Sequence, residues 1–305
     1  MSTFVEKPRL NPLPGGPVSY TRRWVADVSE LCKVRITLMV LVTTLVGFLF
    51  GWHGPVELLY LFHTLGGTAL AASGAAALNQ VFEVELDARM RRTRNRPLPR
   101  RRMTLDEGLI IGIICGAGGI LWLSIATNIY AGLLSAVTIG VYVFVYTPLK
   151  RVTTLNTLVG AIPGALPPVI GWTAARGEPS FESWILFAIL FLWQMPHFLS
   201  ISWLYRSDYK QAGFVMLASF DPECRVTGRQ SLLYTMGLLA VSFLPAMLNL
   251  TSFWYLPVAA AMGCYFLWMS FRFAMVGTDQ AARRLFVASI VYLPVTLGAL
   301  ALARL

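Results

Sequence analysis

Charge is scarce in this chain. Asp, Glu, Lys and Arg make up 13% of the 305 residues, where soluble domains carry about 25%. Together with a 56% hydrophobic content, that shortage excludes an ordinary water-soluble domain. Cysteine is equally thin. Cys32, Cys115, Cys224 and Cys264 form no Cys-x-x-Cys pair and no haem-attachment motif, so neither a disulfide framework nor a zinc site is indicated. Acidic residues number 15 against 25 basic ones, leaving a net charge of +10. Such an excess suits nucleic acid only when it forms a face; here the cations lie between apolar runs with no recognisable binding fold, which argues for no nucleic-acid partner. Residues 1–30 lack the apolar core of a signal peptide, and Glu6, Asp27 and Glu30 do not suit an acid-poor transit peptide. We read 1–30 as a flexible cytoplasmic tail and 31–305 as a single membrane domain, expected in a bacterial inner membrane.

What the sequence does contain is a series of long apolar runs. A bilayer core takes about 20 apolar residues per helix, and cutting the chain at its polar breaks predicts nine spans, at 36–53, 56–79, 106–126, 128–148, 154–175, 181–205, 230–249, 253–271 and 284–303. The expected fold class is therefore all-α, a polytopic bundle of nine transmembrane helices. In the fifth span, Gly160, Pro163, Gly164, Pro167, Pro168 and Gly171 predict a kinked helix whose freed carbonyls need partners inside the bundle. Lys and Arg orient helices by staying cytoplasmic. With these spans, 23 of the 25 fall on one side, and Arg176 and Arg304 on the other. The amino terminus is expected inside and the carboxyl terminus outside.

Several polar residues are out of place in such a bundle. Asn79, Glu83 and Asp87 recur every fourth residue, so on a helix they form one stripe of oxygen ligands about 12 Å long. Hard oxygen donors at the mouth of a bundle suit Mg²⁺, which is held by one or two carboxylates plus substrate phosphates, and ionisable groups inside a membrane are functional candidates by default. Glu85, on another face, is read instead as an ion-pair partner of Arg89. Next comes a block of arginines from which Arg92, Arg94 and Arg96 are the phosphate candidates, because guanidinium forks bind phosphate bidentately; Arg100 to Arg102 suit a topology signal. Tyr146 and Lys150 stand one turn apart at the end of the fourth span. They could reach a diphosphate, or serve as an interfacial aromatic and a snorkelling anchor. The sixth span carries Trp193, Gln194 and His197, followed by Asp208, a candidate second metal carboxylate. His197 could ligate haem iron or move a proton, although a lone bundle histidine is more often a hydrogen-bonded packing residue.

Taken together, NQVFEVELDARMRRTRNRPLP at 79–99, YTPLKR at 146–151, the glycine- and proline-rich stretch at 156–172, WQMPHF at 193–198 and DYKQAGFVML at 208–217 resemble the intramembrane UbiA-type prenyltransferase superfamily, and within it the protohaem IX farnesyltransferase branch. The likeness covers nearly the whole chain after residue 30. Cys32-Lys33-Val34-Arg35 departs from it, since that branch usually has Lys-Pro-Arg. The resemblance implies nine helices around a central cavity and Mg²⁺ dependence, with room for two ions. Farnesyl diphosphate would be the donor and haem B the acceptor, a substrate rather than a cofactor. By position, Asn79, Glu83 and Asp87 would form the first metal and diphosphate motif and Asp208 would belong to the second. Arg96, Tyr146 and Lys150 would stabilise the leaving group, while His197, Gln194 and Trp193 would lie on the haem side. A haem A synthase or a terminal oxidase assembly factor is the protein partner this branch suggests. Two other readings use the same features: a sister prenyltransferase acting on an aromatic quinone precursor, and a non-enzymatic membrane carrier, for which a broken helix and intramembrane charges are also expected.

Overall fold

A computed structural model describes residues 17–304, with side chains from Arg23 onward. The helices, in chain order, are α1 (Pro17–Leu31), α2 (Val34–Gly51), α3 (Leu58–Arg89), α4 (Leu105–Ala126), α5 (Ile129–Gly140), α6 (Thr147–Leu149), α7 (Asn156–Ala165), α8 (Pro167–Arg176), α9 (Phe181–Leu204), α10 (Arg206–Ala212), α11 (Arg225–Val241), α12 (Leu244–Met247), α13 (Tyr255–Val276) and α14 (Asp279–Ala303). A π-helical segment, Val141–Tyr146, joins α5 to α6. Among the described residues, nine helical stretches are long and apolar enough to cross a membrane, the number that the sequence predicts.

Two expectations need adjusting, and the expected kink in the fifth span is a full break. Residues 1–16 of the expected tail lie outside the described residues, but from Pro17 the chain is helical. The reason is packing and charge: Val28 and the fully buried Leu31 of α1 join Ala77, Leu98 and Met103 in one apolar cluster, and Arg102 pairs with both Asp27 (2.8 Å) and Glu30 (2.9 Å). The last span begins earlier than residue 284, at Asp279, because the Thr278 side chain accepts from Ala281 N and caps it. The fifth span is two helices, α7 and α8, with the axis interrupted at Leu166; Pro167 and Pro168 have no N–H to continue the ladder. Gln194 of α9 fills part of the polar demand there, its Nε2 lying 3.4 Å from Ala161 O.

Helices in lipid associate by close packing of small residues rather than by burying apolar surface from water. The contact between α2 and α8 shows this. A Cβ on Gly47 would lie 1.9 Å from Pro168 O, and one on Gly171 would lie 2.0 Å from Thr44 O. Both obstacles are backbone, so no rotamer change can relieve them. Gly47→Ala should therefore separate α2 from α8 at a cost of about 1–3 kcal/mol, read as a lowered thermal midpoint of the detergent-solubilised protein. A wild-type midpoint would contradict the close approach. The largest core cluster joins α2, α8, α9, α11, α13 and α14 through Val46, Trp172, Ile189, Leu238, Phe266 and Tyr292.

Candidate active site

Helix α3 runs past its apolar part to Arg89, carrying Asn79, Glu83 and Asp87 down one face. All three are buried, at 1%, 4% and 1% exposure. A carboxylate at that depth must be paired, and each of the three side-chain oxygens meets a cation from a different segment. Lys33 Nζ, just before α2, donates to Asn79 Oδ1 (2.8 Å). Lys150 Nζ, just after α6, lies 2.7 Å from Glu83 Oε1, and Arg96 Nη1, in the loop after α3, lies 2.6 Å from Asp87 Oδ2. The result is a ladder of three oxygen acceptors faced by three cations.

The parallel helix supplies a second stripe with the same spacing. Tyr142, Tyr146 and Lys150 recur every fourth residue; Tyr142 and Tyr146 stack at 5.5 Å, and Lys150 Nζ lies 4.4 Å from the centre of the Tyr146 ring. The π-helical register places these rings, a distortion that recurs at functional sites. Space for the Tyr146 ring comes from Gly160, where a Cβ would lie 2.4 Å from Cε2 of that ring. Asn79 is held from this side too: its Nδ2 donates to Thr147 Oγ1 (3.1 Å), and Tyr142 Oη donates to its Oδ1 (3.4 Å).

The stretch at 208–217 docks against the same corner. Val215 N donates to Lys150 O (2.7 Å), Asn156 Nδ2 donates to Val215 O (2.7 Å), and the Phe214 ring lies 5.8 Å from Lys150 Nζ. Lys150 is thereby held between two rings and a carboxylate. Tyr209 packs on Leu86 and Met90, and Arg92 donates to its hydroxyl (3.2 Å) while lying over the Tyr205 ring.

The arginine loop divides its side chains accordingly. Arg96 turns inward to Asp87 and Arg92 reaches the α10 rim, whereas Arg94 is exposed. Arg102 ties the loop to α1. Asp208 lies half-buried on α10 and joins none of the ion pairs among the described residues. Glu85, expected beside Arg89, is exposed and makes no ion pair among the described residues; it stands off the buried face of α3. On α9 the three haem-side candidates diverge. His197 Nδ1 lies 2.7 Å from Ser289 Oγ, and its ring stacks on Trp193 and on Phe286 of α14. Trp193 Nε1 donates to Ser289 O (2.9 Å), while Gln194 turns toward α7.

Lys33, Tyr142 and Thr147 are site neighbours that the sequence reading did not select. Tyr142 was accessible from its four-residue spacing with Tyr146 and Lys150. Lys33 was not, because it reaches Asn79 from a separate segment through a left-handed backbone (φ 48°). Removal of its ammonium from water, with Arg96 and Lys150 nearby, pushes Lys33 down to about 7. With all groups ionised, Lys33, Arg96 and Lys150 outnumber Glu83 and Asp87 by one charge, so the cluster is disposed to accept an anion.

Three likenesses to known proteins bear on the family and the fold. A protoheme IX farnesyltransferase from Solibacter usitatus is 44% identical over 287 residues, covering 91% of this chain and 98% of that protein. The fold is that of a digeranylgeranylglyceryl phosphate synthase structure, with a TM-score of 0.78 at 16% identity over 92% of this chain and 98% of the other. It is also that of a UbiA homolog from Archaeoglobus fulgidus solved with DMAPP and Mg²⁺, with a TM-score of 0.67 at 16% identity over 90% and 99% of the two chains. Residues 40–293 match the UbiA prenyltransferase family, and the chain belongs to that family, in the branch of the protoheme IX farnesyltransferases.

Proposed function

We propose that this protein transfers the farnesyl group of farnesyl diphosphate to a vinyl group of haem B, giving haem O and diphosphate. The observation that carries the reading is the buried ladder, in which Asn79, Glu83 and Asp87 face Lys33, Lys150 and Arg96. Three half-buried cations face two buried carboxylates there, an excess of one positive charge that an anion would balance. A diphosphate is such an anion, and its farnesyl tail suits the apolar bundle.

The residues present also fit Mg²⁺. Asn79, Glu83 and Asp87 offer hard oxygens, and among the described residues only one oxygen of each carboxylate is engaged by a cation. No three His, Cys, Asp or Glu side chains among the described residues gather closely enough to hold an ion by themselves, so substrate phosphate oxygens would have to complete the coordination. Asn79, Glu83 and Asp87 would hold the metal, with Asp208 as a contributor from α10. When bound, Mg²⁺ would supply Lewis-acid stabilisation of the charge developing on the leaving diphosphate.

The chain's own groups do the rest. Lys150, Arg96 and Lys33 hold phosphate oxygens, with Arg92 and Arg94 at the rim, and are already placed for the charge that grows as the allylic C–O bond breaks. Diphosphate leaves with the electron pair, and the stacked faces of Tyr142 and Tyr146 shield the allylic cation. The vinyl carbon forms the new C–C bond, and the cation left on the haem side takes oxygen from water and releases a proton, giving the hydroxyethylfarnesyl group. His197 and Trp193 lie toward the haem. His197→Ala is expected to change the haem optical spectrum and raise the KM for haem, leaving that for farnesyl diphosphate unchanged; an unaltered spectrum and turnover would remove His197 from this role. In the cell the protein would lie in the inner membrane with its amino terminus inside, where a haem A synthase or oxidase assembly factor could receive the product.

Acceptor competition tests the assignment. Supplied together with haem B and 4-hydroxybenzoate, the enzyme should prenylate haem alone; prenylated hydroxybenzoate would place it with the quinone-precursor enzymes, and an untouched diphosphate would favour a carrier.

A further inference from the structure

Away from the ladder, an open groove of about 410 Å³ lies between α13 and α14. Its walls are Tyr265 and Met269 from α13 and Gln280, Arg283, Arg284 and Val287 from α14; Arg272 lines a smaller recess of about 70 Å³ that adjoins it, with Met269, Gln280 and Arg284 common to both. Polarity is graded along it. The three arginines stand within about 8–11 Å of helix rise from the hairpin turn at Gly277, with Gln280 beside them. Met269, Val287 and Tyr265 line the part deeper in the span.

The charge at the mouth is uncompensated. Arg96, Arg102, Arg206 and Arg225 each pair with a carboxylate, but Arg272, Arg283 and Arg284 pair with none among the described residues. Asp279, the acid at the start of α14, is taken by Arg206 (2.8 Å). A cationic mouth that leads into an apolar trough complements a molecule with an anionic head and a hydrocarbon tail. Basic pockets between transmembrane helices near a membrane surface take lipid headgroups by this chemistry, and bidentate guanidinium contacts suit a phosphodiester.

We propose that the α13–α14 groove is a binding site for an anionic phospholipid. Its phosphate sits among Arg272, Arg283 and Arg284, and one acyl chain lies along Met269, Val287 and Tyr265. The groove is separate from the face of α14 that meets α9, where Phe286 and Ser289 contact His197, so its occupant is not the proposed acceptor.

Native mass spectrometry of the detergent-purified full chain tests this, with phosphatidylglycerol and phosphatidylcholine of identical acyl chains in equal amount. The wild type should retain phosphatidylglycerol with about tenfold preference, and R272Q/R284Q should lower that preference to parity with an unchanged circular dichroism spectrum. R225Q/R229Q, which removes the same charge elsewhere, should keep it. Excess inorganic phosphate should leave the lipid adduct in place, because the chain contributes to holding it. Equal retention of the two lipids by the wild type, an equal loss in R225Q/R229Q, or displacement by phosphate alone would each overturn the proposal.

Discussion

Glu83→Gln is expected to lower the rate of farnesyl transfer by about 10²–10³-fold, the range seen when one preorganised stabilising group is removed from a reaction centre. The change keeps the shape and one acceptor oxygen, so the hydrogen bond from Lys150 can persist, but it removes the charge that both the ammonium and a divalent cation need. It also leaves Lys150 as an uncompensated cation in a site where Glu83 is only 4% exposed. Breaking a buried pair in this way costs about 3–5 kcal/mol, so lost activity alone would not separate chemistry from folding. The double variant Glu83→Gln/Lys150→Met makes that separation. Removing both charges should restore much of the thermal midpoint while the rate stays at least as low as in Glu83→Gln. If Glu83→Gln turns over at the wild-type rate under limiting Mg²⁺, the ladder is not the diphosphate site.

Lys150→Met should reduce kcat by about 10²-fold with little change in the KM for haem, because in the proposed mechanism its ammonium acts on the leaving group. Lys150→Arg should rescue poorly. The ammonium is a compact point charge seated 4.4 Å from the Tyr146 ring centre and 2.7 Å from Glu83, and a planar guanidinium cannot occupy that position without moving one of them. Steady-state kinetics on the three proteins check this. Full rescue by arginine would show that Lys150 contributes only net charge, and an unchanged kcat in Lys150→Met would remove it from leaving-group stabilisation.

Much of this arrangement is visible in the sequence because helical periodicity is local. The four-residue repeat of Asn79, Glu83 and Asp87 needs only one helix to become a stripe, and α3 provides it. Lys150 one turn after Tyr146 follows the same rule, as does the break in the fifth span, where adjacent prolines decide the backbone. What sequence spacing does not carry is pairing between distant segments. Arg96 and Arg94 look alike in the loop, yet only Arg96 turns inward to Asp87. Lys33 reaches Asn79 across 46 positions through a left-handed residue, and the clamp of Val215 on Lys150 O is a backbone contact that no side chain announces. The helical form of Pro17–Leu31 was hidden for a related reason: four prolines precede or begin it, and its stability depends on Arg102, which belongs to a loop far along the chain.

The central claim is that the buried ladder activates an allylic diphosphate for transfer to haem. Its most direct test is chromatography and mass spectrometry of the purified protein incubated with haem B and farnesyl diphosphate, with Mg²⁺ and with chelator, while released diphosphate is measured in the same samples. The account predicts haem O formed in equal number with diphosphate, and neither product under chelation. Haem of unchanged mass, or haem O formed equally well in chelator, would contradict it.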